Sequence, residues 1–337
     1  MTHVRGRLRV SFALGGFAVL FVIALFPTPY FVMSPGTAVD LSTRIAVERH
    51  APPYDRFYLT DVSLQRASVA MLLERFLPAR RLVPETALVP PGISARRYDA
   101  ILVRSMTSSQ EIAAVVAERA AGFTVHVPPA FVVVEDVTPA SRARGVLAPG
   151  DALRAVEGQA LGSAAQLASL LARLRPGAVV ELAFDRAGRR RRASVRTIAV
   201  AGKARLGVVI GLDRPRASLP VPVRFTMDDV AGSSGGLMFA LAIYASLRPA
   251  RPPEPRTPER IAGTGTLALD GSVGAIDGVQ QKLAAAKRAG ARLFFVPRAN
   301  GRDLPPDPAI RIVPVDSFRE ALLALGSRFT APRLRTP

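Results

Sequence analysis

The longest uncharged stretch of the chain runs from Val10 to Met33, and its apolar part, Val10–Phe26, has the length of a membrane-crossing helix if the less regular "PTPYFVM" helps at the far interface. Arg5, Arg7 and Arg9 precede it. The pattern therefore predicts a cytoplasmic N-terminus over 1–9, a transmembrane helix over 10–32 and an extracytoplasmic body. A cleaved signal peptide is the competing reading, but the apolar region exceeds the ~7–15 residues usual there. No later segment reaches membrane length.

Beyond this segment the pattern alternates between periods of two and of 3.6. Residues 33–128 form a mixed region that braces the later domains. It has helical spacing at Val69, Leu72, Leu73 and Leu77, and a second helix over Ser108–Gly122 with Ser109 as its cap and Ile112, Val115 and Val116 as its stripe. This region shows no chemistry. Residues 129–200 read as short strands, a turn at "LAPGD", a helix from Ser163 and a hairpin closed by "DRAGRR". Residues 205–329 read as alternating strands and helices, including a hairpin around Asp270-Gly271, and 330–337 form a tail. The fold class expected is α+β.

Composition narrows the chemistry. Of 337 residues 49% are hydrophobic, enough for packed cores. There is no cysteine, and the three histidines form no H-E-x-x-H, so neither a thiolate nucleophile nor a metal site is expected, and no cofactor. The net charge is +19, but the basic residues are scattered and the one tight run, Arg189–Arg192, reads as a solvated hairpin tip. Nucleic acid is not an expected partner. Of the 45 basic residues, only Lys203, Lys282 and Lys287 are lysines. Arginine does not give up its proton, whereas a desolvated lysine does, so a cationic general base has three candidates.

Gly232-Ser233-Ser234-Gly235-Gly236 fits G-x-S-x-G directly before the apolar run "LMFALAIY". Two readings compete. Ser233 or Ser234 caps a core helix, or a serine nucleophile sits at a helix start whose free N–H groups stabilise an oxyanion. No histidine follows His126, itself on a distant apparent strand, so a Ser-His arrangement is disfavoured. In "DGVQQKLAAAKRAG" Asp277 and Gln280 make a capping-box-like pair, and Val279, Leu283 and Ala286 mark a buried face. Lys282 lies at the border of that face, where it either snorkels to solvent or is desolvated into a base. Lys287 points to solvent and Lys203 sits in a polar linker.

These residues carry two resemblances. "VTPASRARGVLAPGDALRAVEG" at Val137–Gly158 resembles the bacterial type of PDZ domain, with the likeness extending over about Ala130–Val200. This implies a groove that takes an extended peptide by strand addition. "DDVAGSSGGLMFALAIY" with "AGTGTLALDGSVGAIDGVQQKLAAAKRAGARLFFVP" resembles the proteolytic domain of Lon proteases over about 105 residues. Taken together, the chain resembles a membrane-anchored PDZ–Lon-like bacterial serine protease. The resemblance implies Ser234 as nucleophile, Lys282 as its base and Thr264 beside the lysine, with Gly232 and Ser233 supporting the oxyanion. It implies peptide or unfolded-protein substrates and a ring or other homo-oligomer. The chain departs from the usual G-P-S-A-G at Ser233 and Gly235, and carries Ala231 where many Lon domains have an acidic residue. No G-x-x-x-x-G-K-[ST] occurs in these residues, so no ATP-driven unfolding is expected. The alternatives are a non-catalytic, membrane-tethered PDZ scaffold and a histidine-dependent esterase.

Overall fold

The computed structural model describes residues 21–88, 95–128, 131–162, 164–200, 202–213, 217–227, 231–248, 257–304 and 306–326. The described residues divide into two compact units, one built from the chain up to Val125 and from Leu219 onward, the other from His126–Ser218. Both mix helix and strand.

The larger unit is organised around one six-stranded sheet. Its strands are β1 (Pro27–Asp40), β2 (Arg56–Ser68), β3 (Arg81–Pro84), β4 (Arg260–Gly263), β5 (Leu293–Pro297) and β6 (Arg311–Val315), in the spatial order β6-β5-β4-β2-β1-β3. The first three pair antiparallel, and β4 runs parallel to both β2 and β5. Helix α1 (Ala95–Ala120), α2 (Gly236–Leu247), α3 (Val279–Arg288) and α4 (Phe318–Leu325) complete the frame.

Strand periodicity sorts the core into two layers. Phe57, Leu59, Ile261 and Phe295 point to one face, where they pack with α2 and with Ala113, Ala114 and Ala117 of α1. Tyr58, Ala262, Phe294 and Val296 point to the other, where Val279, Leu283 and Ala286 of α3 cover them. All twelve residues of α2 are buried, as befits a helix that is apolar all round. Helix α2, which follows the turn holding Ser234, and α3, which carries Lys282, therefore lie on opposite faces of one sheet.

The expected transmembrane helix over 10–32 is overturned. Among the described residues no helix is long and apolar enough to cross a membrane. Residues 27–32 begin β1 instead, and Val32 and Met33 are buried in the sheet. The physical reason is local. Pro27 and Pro29 lack the N–H that a helix needs, and Val32 and Met33, which point to opposite faces of the strand, are both buried, so the run shows no polar alternation to mark it as a strand. The single-pass localisation, with a cytoplasmic N-terminus and an extracytoplasmic catalytic domain, falls with that helix. Residues 1–20 and 327–337, which include the expected N-terminal segment and the tail, lie outside the described residues.

A second expectation changes in a useful way. The helix expected to start at Ser109 begins at Ala95, so Ser109 stands in its middle rather than at its cap.

The smaller unit holds a sheet in the order 208–213, 131–137, 152–156, 179–186, 189–196, with the two-residue strand 159–160 on 152–156. A helix, Ala164–Ala172, accompanies it. Residues 205–213, expected in the C-terminal region, thus add a strand to this sheet, Val208–Asp213 on Phe131–Val137. Arg189–Arg192 are exposed beside the hairpin turn at Ala187-Gly188, as expected. His126 bridges Ser218 where the unit begins and ends.

Candidate active site

The turn Gly232–Gly235 leads directly into α2. Gly232 has φ of +95°, a conformation that costs glycine little and a larger residue much. Gly235 has no room for a side chain, since a Cβ there would stand 2.7 Å from Leu59 Cδ1 and 3.0 Å from Phe239 Cζ. No side chain caps α2. The capping reading of the two serines is therefore not what the structure shows.

The Ser234 hydroxyl turns the other way. Its Oγ lies 2.6 Å from Lys282 Nζ. The Ser234 carbonyl is held by the Gly265 N–H at 2.7 Å and by the Thr264 hydroxyl at 3.1 Å. Thr264 follows directly on β4, with its N–H bonded to Phe295 O. The two helices on opposite faces thus meet beyond the C-terminal end of β4, the usual place for a site in a sheet of this kind.

Lys282 arrives from α3. That helix is entered through Gly278, at φ +72°, so close to the sheet that a Cβ would meet Val62 Cγ1 at 2.7 Å and Met33 Sδ at 3.0 Å. One turn later Lys282 is only 4% exposed. Burial pushes its ammonium down to about 8, while the carboxylates of Asp61 and Asp277 pull the other way. Thr264 Oγ1 lies 3.1 Å from the same nitrogen and is itself fully buried. Asp277 does not form the expected capping pair. Its carboxylate is gripped by Arg81 at 2.6 and 2.7 Å, and Gln280 reaches toward Asp303 O. Lys287 is exposed and paired with Asp307, and Lys203 is exposed in the smaller unit.

Of the five residues singled out in the sequence, Ser234, Lys282 and Thr264 converge within hydrogen-bond distance. Gly232 and Ser233 lie in the turn, but the Gly232 N–H is already donated to Leu102 O. Region 33–128, which showed no chemistry in the sequence, contributes to the site. Asp61 accepts from the Thr37 N–H and hydroxyl and acts electrostatically on Lys282. Leu102 and Ser109 bond the turn from α1. Ser109 reaches its partner across 124 residues of sequence and Arg81 reaches Asp277 across 196, and no local pattern marks either. Among the described residues no group of three or more His, Asp or Glu side chains is placed to hold a metal ion.

Residues 227–322 match the Lon protease (S16) C-terminal proteolytic domain. The Lon protease of Mesomycoplasma hyopneumoniae (strain 232) is 33% identical over 94 residues, which is 26% of this chain and 10% of that protein. The archaeal Lon protease of Pyrococcus abyssi (strain GE5 / Orsay) is 33% identical over 116 residues, 33% of this chain and 11% of that protein. The chain spans about a tenth of the length of these relatives. The solved PDZ domain of the SdrC-like protein from Listeria monocytogenes overlaps 24% of this chain and 86% of that structure, at 21% identity and a TM-score of 0.23, a likeness too slight to carry weight. With a serine and a buried lysine in contact inside the matched segment, the chain carries a serine-peptidase domain of the Lon (S16) type.

Proposed function

We propose that Ser234 and Lys282 form a catalytic dyad that hydrolyses peptide bonds in flexible or unfolded protein segments. The observation that carries this is the 2.6 Å approach of Ser234 Oγ to a lysine that burial has made a base near neutral pH. Neutral Lys282 accepts the Ser234 proton as Oγ attacks the substrate carbonyl. The negative charge that develops on the carbonyl oxygen meets the backbone N–H of Ser234, at the start of a buried helix whose dipole is positive there. The Lys282 ammonium then protonates the leaving amine. Water, deprotonated by the same lysine, cleaves the acyl-serine and returns the pair to its starting state.

The described residues supply no nucleotide-binding loop, so in this reading cleavage by the chain itself runs without ATP. Substrates must already present an extended segment. The smaller unit supports a second, compatible role. Strand Val208–Asp213 is at the edge of its sheet and pairs on one side only among the described residues. Such an edge is able to take an added peptide strand, consistent with the PDZ-like motif at Val137–Gly158.

The test is casein cleavage by the purified full chain without ATP, comparing wild type with Ser234→Ala, Lys282→Ala and Lys282→Arg. Cleavage by wild type and none by the three variants is the expected result. Arginine keeps the charge but cannot act as a base, so turnover by Lys282→Arg comparable to wild type would overturn the dyad.

A further inference from the structure

Helix α1 holds the nucleophile turn at two points. Leu102 O accepts the Gly232 N–H at 3.2 Å, and the Ser109 hydroxyl donates to Ser233 O, also at 3.2 Å. The two residues are seven positions apart, two helical turns, and so share one face. Ser109 is 4% exposed. A hydroxyl in mid-helix commonly turns back to the carbonyl four residues before it. Thr107 does so toward Val103 O, and Ser246 toward Ala242 O. Ser109 instead reaches across 124 residues of sequence to the turn.

The carbonyl it holds belongs to the Ser233–Ser234 peptide unit. That unit is planar and trans, so its C=O and N–H point in opposite directions. Tying Ser233 O to α1 therefore turns the Ser234 N–H away from α1. Among the described residues that N–H has no acceptor. The other bond to Ser233 O, from the Gly236 N–H, is long at 3.4 Å. Gly232 at φ +95° and Gly235 flank the two serines, so the backbone around this peptide resists rotation weakly. Among the described residues, the Ser109 hydroxyl is the one side-chain hydrogen bond to this carbonyl.

We propose that Ser109 is a positioning residue, which locks the Ser233–Ser234 peptide with its N–H facing the oxyanion of the reaction. This rests on Ser234 being the nucleophile. Without Ser109 the ground-state complex is unaffected, because the substrate carbonyl gains little from this N–H before attack. The transition state loses an aligned donor.

The full chain is assayed on a fluorogenic peptide as wild type, Ser109→Ala, Ser109→Thr and Ser234→Ala. A peptide boronate, whose tetrahedral adduct on serine places an oxygen in the oxyanion position, serves as the second probe. Ser109→Ala is expected to lower kcat by roughly 10- to 100-fold, somewhat below the effect of deleting an oxyanion donor outright. KM stays within about twofold, boronate affinity falls by the factor lost in kcat, and the rising limb of the pH profile that Lys282 sets does not move. Ser109→Thr, which keeps the hydroxyl, restores most of the rate. The proposal is overturned if Ser109→Ala matches wild type while Ser234→Ala is dead. It is equally overturned if the lost activity tracks a lost folded fraction while the remaining folded enzyme binds boronate normally. Full activity in Ser234→Ala would instead remove the nucleophile assignment itself.

Discussion

Thr264 gives its only hydroxyl hydrogen to the Ser234 carbonyl, 3.1 Å away, so toward Lys282 it acts as an acceptor. Lys282 must therefore direct one N–H to Thr264. The lone pair of the neutral amine is then free to face Ser234 Oγ. Thr264→Val removes this orienting acceptor and is expected to lower kcat on the order of tenfold, the equivalent of about one lost hydrogen bond. Thr264→Ser should retain most of the rate. Equal kcat in Thr264→Val and wild type would deny the threonine this role.

The pH dependence follows from Lys282. With its ammonium at about 8, roughly a tenth to a fifth of the amine is neutral near pH 7.2, against less than about 0.1% for an ordinary lysine. kcat/KM should rise with pH and level off above about 8. A profile still rising steeply at pH 9.5 would mean that the lysine is not desolvated as described.

The same shift governs stability. The folded chain releases the Lys282 proton near 8 and the unfolded chain near 10.5, so the unfolded state binds more protons between those values, and stability from this group rises with pH across that window. Below pH 8 the buried charge costs about 3 kcal/mol. Lys282→Met should be more stable than wild type at pH 7, by up to that amount, and the advantage should disappear by about pH 10.5. Thermal melts at the two pH values decide this, and a constant difference would contradict it.

Gly235 stands where the Lon pattern has alanine. Leu59 Cδ1 and the Phe239 ring occupy the space that a methyl would need. Gly235→Ala is expected to cost about 1–3 kcal/mol through overpacking and to shift Ser234 relative to Lys282. Pairing it with Leu59→Val, which removes a methylene, should recover part of the loss. A neutral single substitution would show that the turn has slack.

Glu118 is fully buried on α1, and both carboxyl oxygens lack a hydrogen-bond partner among the described residues. Burial raises its carboxyl to about 7, with the Val221 backbone as a weaker opposing influence. The folded state keeps this proton after the unfolded chain has lost it, so the favourable contribution present below about 4.5 fades as pH rises through 7. Glu118→Leu should raise Tm at pH 8 by about 2–4 °C for each kcal/mol recovered in a unit of this size, and by less at pH 5. A larger gain at pH 5 than at pH 8 would refute the assignment.

Much of the site could be read in the chain because its residue types are scarce. With three lysines, one of them bordering an apolar helical face, the candidates for a base were few, and the resemblance to the Lon proteolytic domain singled out Lys282 among them. The scaffold around it was harder to see. Strand β1 resembled a membrane helix because successive residues Val32 and Met33 are buried on its two faces, which leaves no polar alternation over Tyr30–Met33. Ser108-Ser109 looked like a helix start because serine favours caps, and nothing in "ARRYDAILVRSMT" revealed that the helix was already under way. The contact that explains Ser109 lies 124 residues downstream. Asp61 belongs to the same class, a polar residue on a strand whose meaning is given only by the helix that packs against it.

The sheet order has a bearing on how the molecule comes into being during synthesis. The strands that cradle α3, β1 and β2, leave the ribosome more than 200 residues before α3 does, with the whole of His126–Ser218 between them. The intervening unit has all its own strands in one continuous segment and is able to fold while the rest is still being made. The larger unit is not, because β1 and β2 wait for β4 and β5 to arrive from the far end. Lys282 cannot be buried until α3 itself has been translated and has packed on those strands. On the proposed reading, a nascent chain thus holds Ser234 without its buried amine partner until α3 has been made, and the order of translation itself keeps the dyad apart.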